Sequence, residues 1–154
     1  MREGHGLRAE LLPPAELRGR ISWQLAEAGR RAQRMVVDRL GEAGLTKNHH
    51  GVLAALIEAE GITQADLGRR LGIDRSDVVA MINALEEEGL VRRTPDRTDR
   101  RRNIVVATPR AHEVLRRASA VVDEVNEMLL EGLSDDERAT LLALLTRITG
   151  MPCR

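Results

Sequence analysis

Apolar residues recur along most of this chain at spacings of three and four, the period of an amphipathic helix. From Ala15 the stripe runs Leu17, Ile21, Leu25, Ala28, Ala32, Met35 or Val36, and Leu40, predicting one long helix that Gly41 and Gly44 end. Thr46 is placed to cap a second helix through about Ala59, with Val52, Leu53, Leu56 and Ile57 inward. Thr63 opens a third, with Asp66 positioned to return the cap and Leu67 and Leu71 on one face. Gly72 is suited to the left-handed residue that closes it. Asp74 then starts a fourth helix with Val78, Met81 or Ile82, and Leu85 inward, leaving Arg75, Ser76, Val79, Ala80 and Asn83 on the outer face.

The period then changes. Leu90 and Val91 begin one strand-like run and Ile104 to Val106 form another, around a polar tip in which Pro95 signals a turn. Thr108 followed by Pro109 predicts a helix start, and Leu115, Ala118, Val121 or Val122, Val125, and Met128 or Leu129 continue it to Gly132. Ser134 to Glu137 read as the capping box of a last helix, which would bury Leu141, Leu144, Leu145 and Ile148. Residues 1–14 show no clear period and are expected to form a flexible arm punctuated by Pro13 and Pro14.

Composition narrows the class. A chain of 154 residues with 42% hydrophobic and 31% charged residues suits one soluble globular domain. Trp23 is the sole aromatic residue, so the core must be aliphatic, which favours helix packed on helix. No apolar run is long enough to span a bilayer, and the N-terminus lacks a signal-peptide pattern. The lone Cys153 rules out an internal disulfide and fits a reducing cytoplasm. The Arg-, Ala-, Gly- and Leu-rich usage suggests a bacterial source.

Formal net charge is zero, but it is segregated. Between Arg92 and Arg102 six arginines face only Asp96 and Asp99, whereas Asp123 to Glu137 holds seven acids and no base. A helix with a small, polar outer face beside a basic β-hairpin is the arrangement that a winged helix-turn-helix presents to DNA. The helix enters a major groove, and the hairpin reaches phosphate or a minor groove. On that reading Arg75, Ser76 and Asn83 contact bases or phosphates, and Val79 and Ala80 touch thymine methyls. Arg93, Arg97, Arg100, Arg101 and Arg102 supply wing contacts, while Asp99 braces an arginine. The bland alternatives are helix capping by Arg75 and Ser76 and a solvated, salt-bridged hairpin for the arginines.

The stretch from Thr63 to Val106 resembles the MarR family of bacterial transcription regulators. Asp74, Ser76 and Val78 match the family's Asp-x-Ser-x-Val helix, Asp99 and Arg101 its Asp-x-Arg wing, and Leu45 and Thr46 its Leu-Thr helix start. The resemblance extends from about Leu17 to Ile148. It implies a mainly α fold with a small β-hairpin wing. An N-terminal dimerisation helix at 15–44 and C-terminal dimerisation helices at 108–154 would flank a winged helix-turn-helix domain at 45–107. Three long amphipathic helices exceed what a small winged domain needs, and a second copy of the chain is the simplest cover for their surplus apolar surface.

The implied function is a homodimeric regulator, most often a repressor, of a pseudo-palindromic operator in double-stranded DNA, with half-sites roughly 10 bp apart. Family members often bind small phenolic or other anions. Here Trp23, Arg30, His49 and His50 are the tentative ligand residues, although His50 stands where the family commonly has an aromatic. Other readings are packing of Trp23 at a dimer interface and an ordinary helix start for the histidines. A redox input through Cys153 or a metal input through the histidines is disfavoured. Cys153 is terminal, and adjacent His49 and His50 diverge by about 100° on a helix. No cofactor is expected, and no phosphate loop or nucleophile–base pair suggests an enzyme. The remaining rival is a winged module that binds protein instead of DNA.

Overall fold

The computed structural model describes residues 12–96, 98, 99, 101 and 103–151. Its elements are α1 (Ala15–Arg18), α2 (Ile21–Glu42), α3 (Lys47–Ala59), α4 (Gln64–Leu71), α5 (Arg75–Glu87), β1 (Val91–Pro95), β2 (Asn103–Ala107), α6 (Pro109–Leu129) and α7 (Asp135–Thr149). This is the mainly helical fold with a two-stranded hairpin expected from the periodicity. Backbone contacts divide the chain into units Met1–Met35 and Val36–Arg154.

In the first unit the single helix expected from Ala15 is divided. Arg20 N donates to Leu17 O and Gly19 forms the C-cap of α1, while the Gln24 side chain donates to Arg18 O at 2.7 Å. These bonds satisfy carbonyls at the break that a continuous helix would have satisfied itself. Arg20 and Glu16 pair across the same break.

The second unit is built on α3, α4, α5, the hairpin and the start of α6. Val52, Leu53, Leu56, Leu67, Val78, Ile82, Leu85, Leu90, Val91, Val105 and Ala111 form one buried aliphatic cluster. A smaller cluster of Leu40, Leu45 and Ala118 joins the end of α2 to α6. Caps follow the local residues. Asp66 N donates to Thr63 Oγ1 at 3.1 Å, and Gly72 closes α4 in the left-handed region, its N–H donating to Gly68 O. Asp74 occupies the N-cap of α5 but makes no side-chain capping bond there.

β1 and β2 pair antiparallel in the register Val91↔Ala107, Arg93↔Val105 and Pro95↔Asn103. Pro95, expected to mark the turn, is instead the last residue of β1, where a missing N–H costs the ladder least. The hairpin also gains an unanticipated third partner: Ile62 and Val105 exchange two backbone hydrogen bonds of 3.1 and 2.8 Å. At its base, Thr108 Oγ1 donates to Gly89 O and Leu90 O, and Arg110 donates to Glu88 O, fixing the start of α6 to the end of α5.

No residue of α7 is fully buried. The expectation that this helix buries Leu144 and Ile148 is corrected: they are 48% and 62% exposed, and Leu141 and Leu145 are only partly covered. Within one chain the described residues provide no complete cover for that stripe.

The capping box of α7 does form. Ser134 N and Oγ both donate to Glu137 Oε2, at 2.8 and 3.1 Å, and hold its carboxyl below the usual carboxylate range. A lowered folded pKa gives stabilisation that is present above the unfolded value of about 4.3. That stabilisation is lost as pH falls through the folded value. The Ser134 amide resonance is therefore expected to titrate with Glu137 in acid as the first turn of α7 loosens. Glu137→Gln, which keeps the acceptor without the proton equilibrium, should flatten that titration. A Ser134 amide indifferent to pH in the native chain would contradict this.

Candidate nucleic-acid interface

Helix α5 owes its two faces to spacing. Val78, Ile82 and Leu85 are buried, whereas Arg75, Ser76, Val79, Ala80 and Asn83 are all exposed on the other side. Val79 is 37% exposed, a large aliphatic group left outside the core of its own domain. The close approach of α4 that holds α5 in place passes over Gly68: a Cβ there would lie 2.9 Å from Ile73 O and 3.2 Å from Val78 Cγ2.

Two short carboxylate turns shape the hairpin tip. Asp96 Oδ1 accepts from Thr98 N and Oγ1, both at 2.8 Å, and Asp99 Oδ1 accepts from Arg101 N at 3.0 Å. Asp99, expected to brace an arginine, makes this bond to the Arg101 backbone and not to its guanidinium. Arg101 itself is exposed. Arg97, Arg100 and Arg102, also expected to contact DNA, lie outside the described residues, as do Cys153 and residues 1–11 of the arm.

Arg93 sits differently from the other arginines. Its backbone N–H donates to Glu86 Oε1 at 3.0 Å, its guanidinium pairs with Glu86, and Nη2 donates to Asn83 Oδ1 at 2.6 Å. With the Gln64 amide oxygen turned toward it, Gln64 accepts from Nη2 at 2.9 Å and Nε at 3.1 Å. Sequence reasoning missed Gln64 and Glu86. The available signal was the i, i+3 spacing of Asn83 and Glu86 on one face of α5.

The four residues expected at a ligand site are distributed over both units. Trp23 and Arg30 belong to the first, where Arg30 pairs with Glu27. His49 and His50 lie in the first turn of α3. His49 is 6% exposed and completes the capping box of α3: Thr46 N donates to Nδ1 at 2.8 Å. A ring nitrogen that accepts carries no proton, so Nε2 carries it and donates to Glu88 Oε2 at 2.7 Å. Both ring nitrogens of His49 are therefore used within the domain. A groove of about 380 Å³ at the helix-turn-helix is lined by Lys47, Asn48, Val52, Ile73, Asp77 and Met81 among others, and by none of those four.

No described helix is long and apolar enough to cross a membrane. Residues 43–102 match the model of the MarR family. A Thauera aromatica protein described as a transcriptional regulatory protein for the hcr operon is 36% identical over 105 residues, 68% of this chain; the match spans 63% of that relative, a little under two thirds. The transcriptional regulator HosA of Escherichia coli is 32% identical over 104 residues, 68% of this chain and 77% of HosA. The crystal structure of CouR from Rhodococcus jostii RHA1, solved with bound p-coumaroyl-CoA, superposes with a TM-score of 0.75 at 30% identity, covering 92% of this chain and 99% of CouR. The chain belongs to the MarR family and is a transcriptional regulator, not an enzyme.

Proposed function

We propose that this regulator acts as a homodimer on a pseudo-palindromic operator, represses from it, and is released by a small phenolic or other anionic ligand. The observation that carries the DNA reading is the outer face of α5. Arg75, Ser76, Val79, Ala80 and Asn83 are exposed beside a hairpin whose tip is dense in arginine. Small and polar groups suit the floor of a major groove, and arginines suit its phosphate walls. Among the described residues of that face only Val79 is a large apolar group, which offers little to a protein partner. The surplus apolar stripe of α7 supports pairing with a second copy, which would set two such helices on successive turns of one face of the duplex.

Footprinting on the DNA flanking its gene, followed by binding across a salt series, tests the reading. Arg101→Ala is expected to weaken binding to all sequences and to lower the salt slope by about one ion per lost phosphate contact. Arg97→Ala should do the same, whereas Arg75→Ala should change base preference. Wing variants with native affinity and native slope would refute this docking.

Ligand control draws support from CouR, whose bound p-coumaroyl-CoA is a phenolic acyl thioester with several negative charges. Thermal-shift screening with phenolic acids and their coenzyme A thioesters tests it. Stabilisation together with loss of operator binding is expected, and a panel that does neither removes the ligand from the proposal. Trp23, Arg30 and His50 are the residues to substitute, since the His49 ring is committed to Thr46 and Glu88.

A further inference from the structure

We infer that Arg93 does not grip DNA but sets the orientation of Asn83, so that Asn83 reads a hydrogen-bond acceptor through its amide nitrogen. The inference rests on α5 being the recognition helix. A guanidinium has five N–H donors and no acceptor. Four of them are directed within the domain: Nη1 to Glu86, Nη2 to Asn83 and Gln64, and Nε to Gln64. The fork therefore ties α4, α5 and β1 together and has little left for a phosphate. Its charge is also countered by Glu86, whose second oxygen receives the Arg93 backbone N–H.

The consequence for Asn83 follows from the same chemistry. Because Arg93 can only donate, the atom of Asn83 that faces it must be the carbonyl oxygen. The ambiguity between amide O and N is thereby removed. The amide nitrogen is the end left for a partner, and among the described residues nothing accepts from it. The familiar asparagine–adenine pair needs the carbonyl to accept from N6 while the nitrogen donates to N7. Here Arg93 already takes one lone pair of that carbonyl, so an adenine would have to press its N6 donor onto the same oxygen beside the Arg93 cation. An acceptor suits the free end instead: guanine O6 or N7, thymine O4, or a phosphate oxygen.

The test uses the full chain, its footprinted operator and a panel of single-base operator variants. Four variants serve: Asn83→Ala, Arg93→Ala, Arg93→Lys and the double variant Asn83→Ala/Arg93→Ala. If the acceptor is a base, Asn83→Ala flattens the preference at one G·C or T·A position by about fivefold or more. Arg93→Ala flattens the same position, the double variant is no worse than Asn83→Ala, and the salt slope stays native. If the acceptor is a phosphate, both single variants weaken every operator alike and again fail to add. Arg93→Lys keeps the charge but cannot hold Glu86, Gln64 and Asn83 together, so it should behave like Arg93→Ala.

Three results would overturn the inference. The first is a salt slope that falls by about one ion for Arg93→Ala while the preference due to Asn83 survives. The second is strictly additive losses. The third is an Asn83-dependent adenine position weakened both by removing N7 and by removing the N6 amino group. The clamp also has a readout without DNA. The Arg93 Nε–H should exchange slowly in nitrogen-15 spectra, and the Asn83 side-chain NH2 pair should shift in Arg93→Lys. A native chain that binds no operator would defeat the recognition-helix reading, whereas fast Nε–H exchange and an unmoved NH2 pair would defeat the clamp itself.

Discussion

Ile82→Ala is expected to destabilise the protein by about 2–5 kcal/mol, the usual range for emptying a well-packed aliphatic site. Ile82 is fully buried in the cluster that joins α5 to α3, α4 and the hairpin. Two features of the site favour a large loss within that range. Leu53 and Leu56 of the same cluster come from α3 and Leu67 from α4, helices whose first turns are capped by Thr46 and Thr63, and Gly68 of α4 already leaves no room for a Cβ beside Ile73 O and the Val78 side chain. The wall therefore has little freedom to collapse into the void. The companion substitution Val79→Ala lies only three residues away, on the exposed face. It should change stability by no more than about 0.5 kcal/mol while altering operator affinity or base preference. Urea unfolding and operator binding on the two variants separate the effects. Equal losses of stability would show that the helix does not divide into an inner and an outer face as described.

Much of the interface was legible because its determinants are local. Thr63, Gly72 and the Val78, Ile82, Leu85 spacing each act within one helical turn, so the helices, the turn between them and the outward residues of α5 could be read without knowing what they pack against. The same applies to the Ser134–Glu137 capping box. What escaped depends on contacts between distant segments. Arg93 looked like one more wing cation, since nothing in the sequence reveals that Asn83, Glu86 and Gln64 converge on it. In the sequence His49 is one of two adjacent histidines at a helix start and a tentative ligand residue. Only the fold brings Glu88 to its Nε2 and so fixes the ring as structural. The Ile62–Val105 bridge is equally non-local, and Gly61 beside it runs at φ 121°, where a Cβ would crowd the side-chain ends of Val106 and Ile104 at 3.0 and 3.1 Å. The break at Gly19 was local but weakly encoded, because the apolar stripe continues through it.

These contacts also bear on how a wing and a recognition helix could act together. A hairpin joined to α5 only through the chain would move independently of it. Here Arg93 joins β1 to α5 and α4, and Thr108 and Arg110 join the base of the hairpin and the end of α5 to the start of α6. A displacement of α6 would thus reach the end of α5 through direct hydrogen bonds. His49 adds a second connection, from the first turn of α3 to Glu88 at the end of α5.

The second large effect concerns α7, in which Leu144→Glu combined with Ile148→Glu should convert the proposed dimer to a monomer. Leu141, Leu144, Leu145 and Ile148 recur at helical spacing, and none is fully buried within the chain. Charges on that face would have to be desolvated against apolar groups of a second copy, which a dimer tolerates badly. A monomer has no such cost, because Leu144 and Ile148 already face water in it. The monomer should therefore keep the helical content of the native chain while its melting temperature ceases to depend on concentration. Losing the second recognition helix should lower operator affinity by roughly 10²–10⁴-fold, the usual gain from tethering two sites. Ala143→Glu, on the exposed opposite side of the same helix, should leave both mass and affinity unchanged. Sedimentation and operator titration read all three chains. A double variant that sediments with the native chain and binds equally well would show that the apolar face of α7 is not what pairs two copies.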